Sequence, residues 1–292
     1  MLCNQCPRLC NAIRTERENI GGVCKMPATP VVARAALHFW EEPSISGKNG
    51  SGTVFFSGCS LHCVFCQNEV ISANNKGKTI SVKELVRIFK KLEENGAHNV
   101  NLVTPSHFVD SIIAALDIYK PNIPIVYNSS GYENVDTLKK LEDYVDIYLM
   151  DFKYFDSNKS KMYSFAENYP QICKQALLEA YRQQGECVFS SDGVMQKGVI
   201  IRHLLMPQAT RDAIEIFDWV KVNTPNAYFS LMSQYVPIGR AVDMPVINRT
   251  VTAREYDKVV NYIAENNFDN CYIQERASAS KSFIPDFDFT GI

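Results

Sequence analysis

The placement of cysteine constrains this chain more than any other feature. Ten cysteines occur in 292 residues, and seven of them fall in the first 66: Cys3, Cys6, Cys10, Cys24, Cys59, Cys63 and Cys66. Cys173, Cys187 and Cys271 are scattered through the rest and read as buried thiols that behave as small hydrophobes. The start, Met1-Leu2-Cys3-Asn4-Gln5-Cys6, has neither a basic nor an apolar stretch and does not read as a secretory signal. In a reducing compartment, cysteines gathered at the front of a chain point to bound metal rather than to disulfides.

Hydrophobic residues at 46% and charged residues at 21% permit a full core and exclude a disordered or low-complexity chain. Lys and Arg total 30 against 32 Asp and Glu, a net charge of -2, which argues against a nucleic-acid or anionic-membrane partner. No apolar run approaches the roughly 18–20 residues of a spanning helix. The expectation is a soluble cytoplasmic protein.

Residues 1–27, punctuated by Pro7, Gly21, Gly22 and Pro27, read as a cysteine-rich metal-binding segment. Residues 28–52 read as a connecting segment, ending in a polar, glycine-rich loop from Ser44 to Gly52. From residue 53 to 292 short apolar runs alternate with helical patterns, which predicts an α/β domain with a parallel sheet and a C-terminal extension. The expected strands are Thr53–Gly58, Asn99–Thr104, Ile123–Asn128, Asp146–Met150, Val199–Met206, Tyr228–Ser233 and Cys271–Glu275. Helices are expected near 107–119, 135–143, 168–184 and 210–222. Two more open at the capping boxes Ser81-Val82-Lys83-Glu84 and Thr252-Ala253-Arg254-Glu255.

Directly after the first of these strands stands Gly58-Cys59-Ser60-Leu61-His62-Cys63-Val64-Phe65-Cys66, a CxxxCxxC triplet. Three thiolates on one loop can bind three irons of a 4Fe–4S cluster and leave the fourth open for chemistry. The bland alternative is structural zinc with His62 as a fourth ligand, but no second CxxC pair follows. Cys3, Cys6, Cys10 and Cys24 supply four thiolates, enough to close a site around a second 4Fe–4S cluster or a structural zinc ion. A segment this short cannot fold by burial alone, so metal would supply its stability.

The triplet, with an aromatic residue before its last cysteine, resembles that of the radical S-adenosylmethionine (SAM) superfamily. Asn101-Leu102-Val103-Thr104-Pro105, Tyr127-Asn128-Ser129-Ser130-Gly131, Asp151-Phe152-Lys153 and Ile201-Arg202-His203 extend the likeness over most of the chain. The nearest resemblance is to proteins like pyruvate formate-lyase activating enzyme. The resemblance implies a partial (β/α)6 TIM-like barrel. It also implies a cluster on Cys59, Cys63 and Cys66, and SAM bound at the open iron and cleaved reductively to a 5′-deoxyadenosyl radical. That radical would take a hydrogen atom from a protein or peptide substrate, a glycyl radical enzyme in the activases, with flavodoxin or ferredoxin as electron donor. Asp151 and Lys153 match residues that hold SAM, Asn128 and Ser129 line the same site, and Arg202 faces it from a later strand. The chain departs from the pattern at Thr104-Pro105-Ser106, where the family usually has Gly-Gly-Glu, and at Asn128, where the activating enzyme has an acid.

Weaker signals remain. His38-Phe39-Trp40-Glu41-Glu42-Pro43 reads first as a packing segment, with a place beside the cluster or the substrate channel as the alternative. The tail from Phe283 to Phe289 alternates aromatic with acidic residues and could cover the open side of a barrel. Gln274, Glu275 and Arg276 could face substrate. Two other functions compete with the activase reading: a radical SAM enzyme that modifies a peptide or small molecule, and a non-catalytic metal-binding module.

Overall fold

The structure, a computed structural model of the chain, describes residues 3–278 and 285–292. Its centre is a sheet with strands β1 (Val31–His38), β2 (Ser51–Phe56), β3 (Val100–Val103), β4 (Ile125–Ser129), β5 (Ile147–Asp151), β6 (Met195–Leu204), β7 (Tyr228–Met232) and β8 (Cys271–Ile273). From β2 to β8 the strands pair in chain order and in parallel. Parallel neighbours cannot be joined by a tight turn, so helices make the crossovers. In order these are α1 (Val82–Glu94), α2 (Val109–Ile118), α3 (Val135–Lys139), α4 (Ser157–Ser164) with α5 (Tyr169–Gln184), α6 (Thr210–Asn223) and α7 (Ala253–Glu265). Both capping boxes form: Ser81 Oγ accepts from Glu84 N at 3.2 Å while the Glu84 carboxylate accepts from Ser81 N at 2.7 Å. Thr252 and Glu255 repeat the exchange. Among the described residues no helix is long and apolar enough to cross a membrane.

Side chains of a strand alternate between its two faces. Leu102, Tyr127, Tyr148 and Ile201 point outward under the helices, against Leu85, Phe89 and Leu177. Val126, Ile147, Leu149 and Ile200 point inward and form a separate apolar layer with Ile45. Ile45 sits on a one-turn helix, Pro43–Ser46, whose carbonyl at Ile45 accepts from Asn99 Nδ2 at 2.8 Å. Strand β1 is antiparallel to β2, with His38 opposite Ser51. The chain therefore leaves β1 at the N-terminal end of the parallel strands, and residues 39–46 enter the interior from that end. They form a floor.

Residues 28–52 are thus more than a connector. They supply β1 and the floor, and the run expected to be a loop already contains the start of β2. The outer edge of β1 is held by the tail: Ala35 N donates to Thr290 O at 2.8 Å and Phe289 N to Ala33 O at 3.1 Å. Phe287 packs edge-on against Phe55 with ring centres 5.4 Å apart. Phe283 and Ile284 lie outside the described residues. Of the three scattered thiols only Cys173 is buried, and Cys187 and Cys271 are partly exposed, a correction to the expectation that all three are core.

Glu133 is a buried acid behind the sheet. Its oxygens accept from Ser106 Oγ at 2.6 Å and Tyr127 OH at 3.0 Å. Burial raises its pKa to about 7, against the pull of those two hydroxyls. A carboxyl raised in the folded state favours folding below its unfolded pKa and loses that contribution as pH rises through the folded value. Wild-type stability should therefore fall between about pH 4.5 and pH 7 by on the order of 3 kcal/mol. Glu133→Gln should flatten that slope in urea unfolding at pH 5 and pH 8. An identical slope in the variant would assign it to other groups.

Candidate active site

A cavity of about 610 Å³ fills the interior above the apolar layer, a size typical of small-molecule and cofactor sites. At its mouth is the loop that follows β2. Gly58 turns the chain off the strand with φ +84°, a conformation that glycine adopts without cost, and the N-terminal segment packs directly over it. Cys59, Cys63 and Cys66 line the cavity from this loop. A hydrogen-bonding group stands at each sulfur. Leu61 N donates to Cys59 Sγ at 3.3 Å, Ser164 Oγ donates to Cys63 Sγ at 2.9 Å, and Ser72 Oγ lies 3.2 Å from Cys66 Sγ. Burial pushes the Cys63 thiol up, and the Cys66 thiol up to about 12.

The donor set fits an iron–sulfur cluster. Soft thiolates are its ligands, and hydrogen bonds to the sulfurs tune it. Ligands of different irons need not converge on one point. His62 is engaged elsewhere, with Nε2 3.0 Å from Val23 O, so it does not complete a zinc site with the triplet.

Across the cavity the strand ends bring together Asn128, Ser129, Asp151, Lys153 and Arg202, all of which line it. Arg202 is the hub. Its Nε donates to Asp151 Oδ1 at 2.9 Å, Nη2 to Asn128 Oδ1 at 2.7 Å and Nη1 to Glu41 Oε2 at 3.1 Å. Lys153 Nζ pairs with the other oxygen of Asp151. Burial alone would raise Asp151, but Arg202 and Lys153 together outweigh it and hold the carboxyl below its usual range. Burial would likewise discharge Lys153, and Asp151 keeps its ammonium charged. Lys153 N donates to the Tyr169 hydroxyl at 2.9 Å, which fixes the strand end. Ser129 Oγ accepts from Gly131 N at 3.2 Å, and Gly131 has φ +74° with the Asp151 carbonyl where a Cβ would stand.

Two functional candidates, Glu41 and Glu42, come from a segment that reads first as packing. Yet Glu42 is buried, the Glu41 side chain is only 10% exposed, and both line the cavity floor. Glu41 Oε1 accepts from Asn101 Nδ2 at 3.1 Å and Asn128 Nδ2 at 3.2 Å. Burial raises both acids against the pull of Arg202. An acidic pair bounded by aromatics and Pro43 was the available signal. Thr104, in place of a family glycine, holds φ +59° at the cavity wall, a strained conformation for a β-branched residue. Gln274 reaches the cavity, whereas Glu275 and Arg276 are exposed.

The N-terminal cysteines lie on a segment docked against the triplet loop. Arg8 Nε donates to Ser60 O at 2.7 Å and Nη2 to Ser164 O at 3.1 Å, so one guanidinium ties Cys6 and Cys10 to the surroundings of Cys63. Arg14 anchors the other side, donating to Met26 O at 3.0 Å and His107 O at 2.8 Å, with Nη1 3.6 Å from Cys3 Sγ. Asn19 Nδ2 stands 3.7 Å from Cys24 Sγ.

Comparison with known proteins agrees with this geometry. An uncharacterized protein of Methanocaldococcus jannaschii is 33% identical over 280 residues, spanning 92% of this chain and 76% of that protein. The structure of Streptococcus suis SuiB bound to S-adenosylmethionine superposes with a TM-score of 0.51 at 17% identity over 75% of this chain. This chain spans 48% of SuiB, about half its length. Methylornithine synthase superposes with a TM-score of 0.51 at 14% identity, over 82% of this chain and 72% of that one. At such identities these two speak for the fold. A family model described as the Radical SAM superfamily matches residues 53–220, more than half of the chain. That span contains the cysteine triplet and every strand-end residue of the Arg202 network, and the chain belongs to the radical SAM superfamily.

Proposed function

We propose that this radical SAM enzyme binds its 4Fe–4S cluster on Cys59, Cys63 and Cys66 and SAM beside Lys153, and that it acts on a protein or peptide in the manner of a glycyl radical enzyme activase. The observation that carries the reading is that three cysteines and the Asp151–Lys153–Arg202 network face one another across a single cavity. The sheet that wraps this cavity is then the partial barrel of the superfamily, with residues 53–292 as its core domain. When bound, the cluster and SAM supply a carbon radical that takes a hydrogen atom from the substrate.

The chain's own residues position and shield. Lys153 offers its ammonium to the SAM carboxylate, and Asp151 steers that ammonium from the strand end. Asn128 and Ser129 offer polar groups at the same level, and Arg202 fixes Asp151 and Asn128 in place. Phe65, buried against Tyr235 at 5.8 Å, keeps water from the back of the cysteine loop. Cys3, Cys6, Cys10 and Cys24 hold a second 4Fe–4S cluster, or zinc, and the Arg8 bonds to Ser60 and Ser164 support an electron-relay role for it. Flavodoxin or ferredoxin fits as the donor.

Two measurements test the reading. Reduced, reconstituted protein given SAM without oxygen should form 5′-deoxyadenosine, and protein that holds iron yet forms none would remove the assignment. Lys153→Met keeps the apolar stem and removes a charge-assisted hydrogen bond, worth roughly 1.5–3 kcal/mol when shielded. SAM affinity, read by anaerobic calorimetry, should drop about ten- to a hundredfold, with iron content unchanged. Unaltered affinity would take Lys153 out of the SAM site.

A further inference from the structure

We propose that Glu41 and Glu42 form a subsite on the cavity floor for a cationic group of the substrate, an alkylammonium or alkylguanidinium. The inference rests on the radical SAM reading of the cavity and names the substrate chemistry that this cavity selects.

The first observation is a buried carboxylate oxygen that accepts no hydrogen bond among the described residues. It is Oε2 of Glu42, whose side chain is 6% exposed. The nearest cation, Arg202 Nη1, is 4.0 Å away and already donates to Glu41. A buried carboxylate oxygen in that position is costly, and such groups persist where a ligand completes them.

The second observation is the charge of the network. Asp151, Glu41 and Glu42 face Arg202 and Lys153 in one connected cluster, three acids against two bases. When Lys153 turns to the SAM carboxylate, Arg202 is left alone with three carboxylates. Its bonds are then divided among Asp151, Asn128 and Glu41, and Glu42 stays outside them. That leaves the cluster two positive charges short, and one positive charge from the substrate halves the deficit.

Position gives the third argument. The floor enters from the end of the sheet opposite the cysteine loop, so a molecule gripped there by a cationic tip extends toward the cluster side. Tyr272 lines the cavity close to Glu42 and offers an aromatic wall of the kind organic cations favour. A proton shared between the two acids would also halve the deficit, but it would give no preference among ligands, and that difference can be measured.

The test uses anaerobic holoprotein saturated with SAM and calorimetric titration with matched probes. n-Pentylammonium and n-pentylguanidinium are compared with n-pentanol, and acetyl-Gly-Lys-Gly-amide with the same peptide acetylated on its lysine. The cationic member of each pair should bind about tenfold or more tightly than its neutral twin. Glu42→Gln and Glu41→Gln, each checked for cooperative thermal unfolding, should bring the ratio to within about twofold. Tighter binding of the lysine peptide than of pentylammonium would place the cation on a polypeptide side chain, and the reverse would place it on a small amine. Equal binding of cation and neutral twin by wild type, or full discrimination retained in both variants, would overturn the proposal. A holoprotein that discriminates but never cleaves SAM would instead overturn the reading on which it rests, so the two failures are distinct.

Discussion

Cys63→Ala protein, reconstituted without oxygen, should hold about four irons per chain where wild type holds about eight, and should form no 5′-deoxyadenosine from SAM. On the proposed assignment the triplet has no spare member: each thiolate would serve one iron, and the fourth iron would stay open. Cys63 is also the member that Ser164 donates to, from the helix that Arg8 caps at the Ser164 carbonyl, so its loss disturbs the seam with the N-terminal segment as well. The fold should survive, because the cysteines lie on a loop beyond β2 rather than in the packed faces of the sheet. Far-ultraviolet circular dichroism should match wild type. If the N-terminal cysteines hold zinc, iron should instead fall from about four to none while one zinc stays. SAM cleavage at the wild-type rate in this variant would sink the triplet assignment.

Arg202→Met should lower stability by about 3–5 kcal/mol, the usual result of removing one partner from a buried ionic network. The guanidinium stands among Asp151, Glu41 and Glu42, and its apolar stem is replaced while its charge is not. In thermal unfolding the expected drop is roughly 5–8 °C for a chain of this size. The sign of the pH effect follows from the same charges. Burial already raises Glu41 and Glu42 while Arg202 opposes it, so removing Arg202 raises them further. Acids raised in the folded state favour folding when protonated and oppose it once ionised. The gap between variant and wild type should therefore be wide at pH 8 and narrow toward pH 5. A loss under about 1 kcal/mol with no pH dependence would mean that Arg202 does not compensate these carboxylates.

Much of the architecture was legible in advance because its causes are local. The parallel strands announce themselves as short apolar runs, and Ser81–Glu84 and Thr252–Glu255 start helices through bonds that span three residues. The inward placement of Asp151 and Arg202 follows from alternation along a strand. What stayed hidden depends on contacts far along the chain. Val31–His38 carries no clear alternation, and it is a strand because β2 and the tail near Thr290 pair with its two edges. Glu41 and Glu42 look like part of a packing segment until Arg202, 161 residues from Glu41, is folded against them. The exposure of Cys187 and Cys271 is equally non-local, since nothing in their flanking residues records how the sheet's last strands are covered.

The floor has a consequence for how such a protein can diverge. It is one short stretch, residues 39–46, inserted from the opposite end to the cysteine loop and pinned to the sheet by the Asn99–Ile45 bond. The groups that would grip cofactor sit instead at strand ends whose spacing is set by the ladder of the sheet. On the proposed reading, radical generation and molecular selectivity are carried by separate pieces of backbone that meet at Arg202, which bonds Glu41 on the floor and Asp151 and Asn128 at the strand ends. A descendant that exchanges the acidic pair, and so acquires a new clientele, must therefore supply another partner for Arg202.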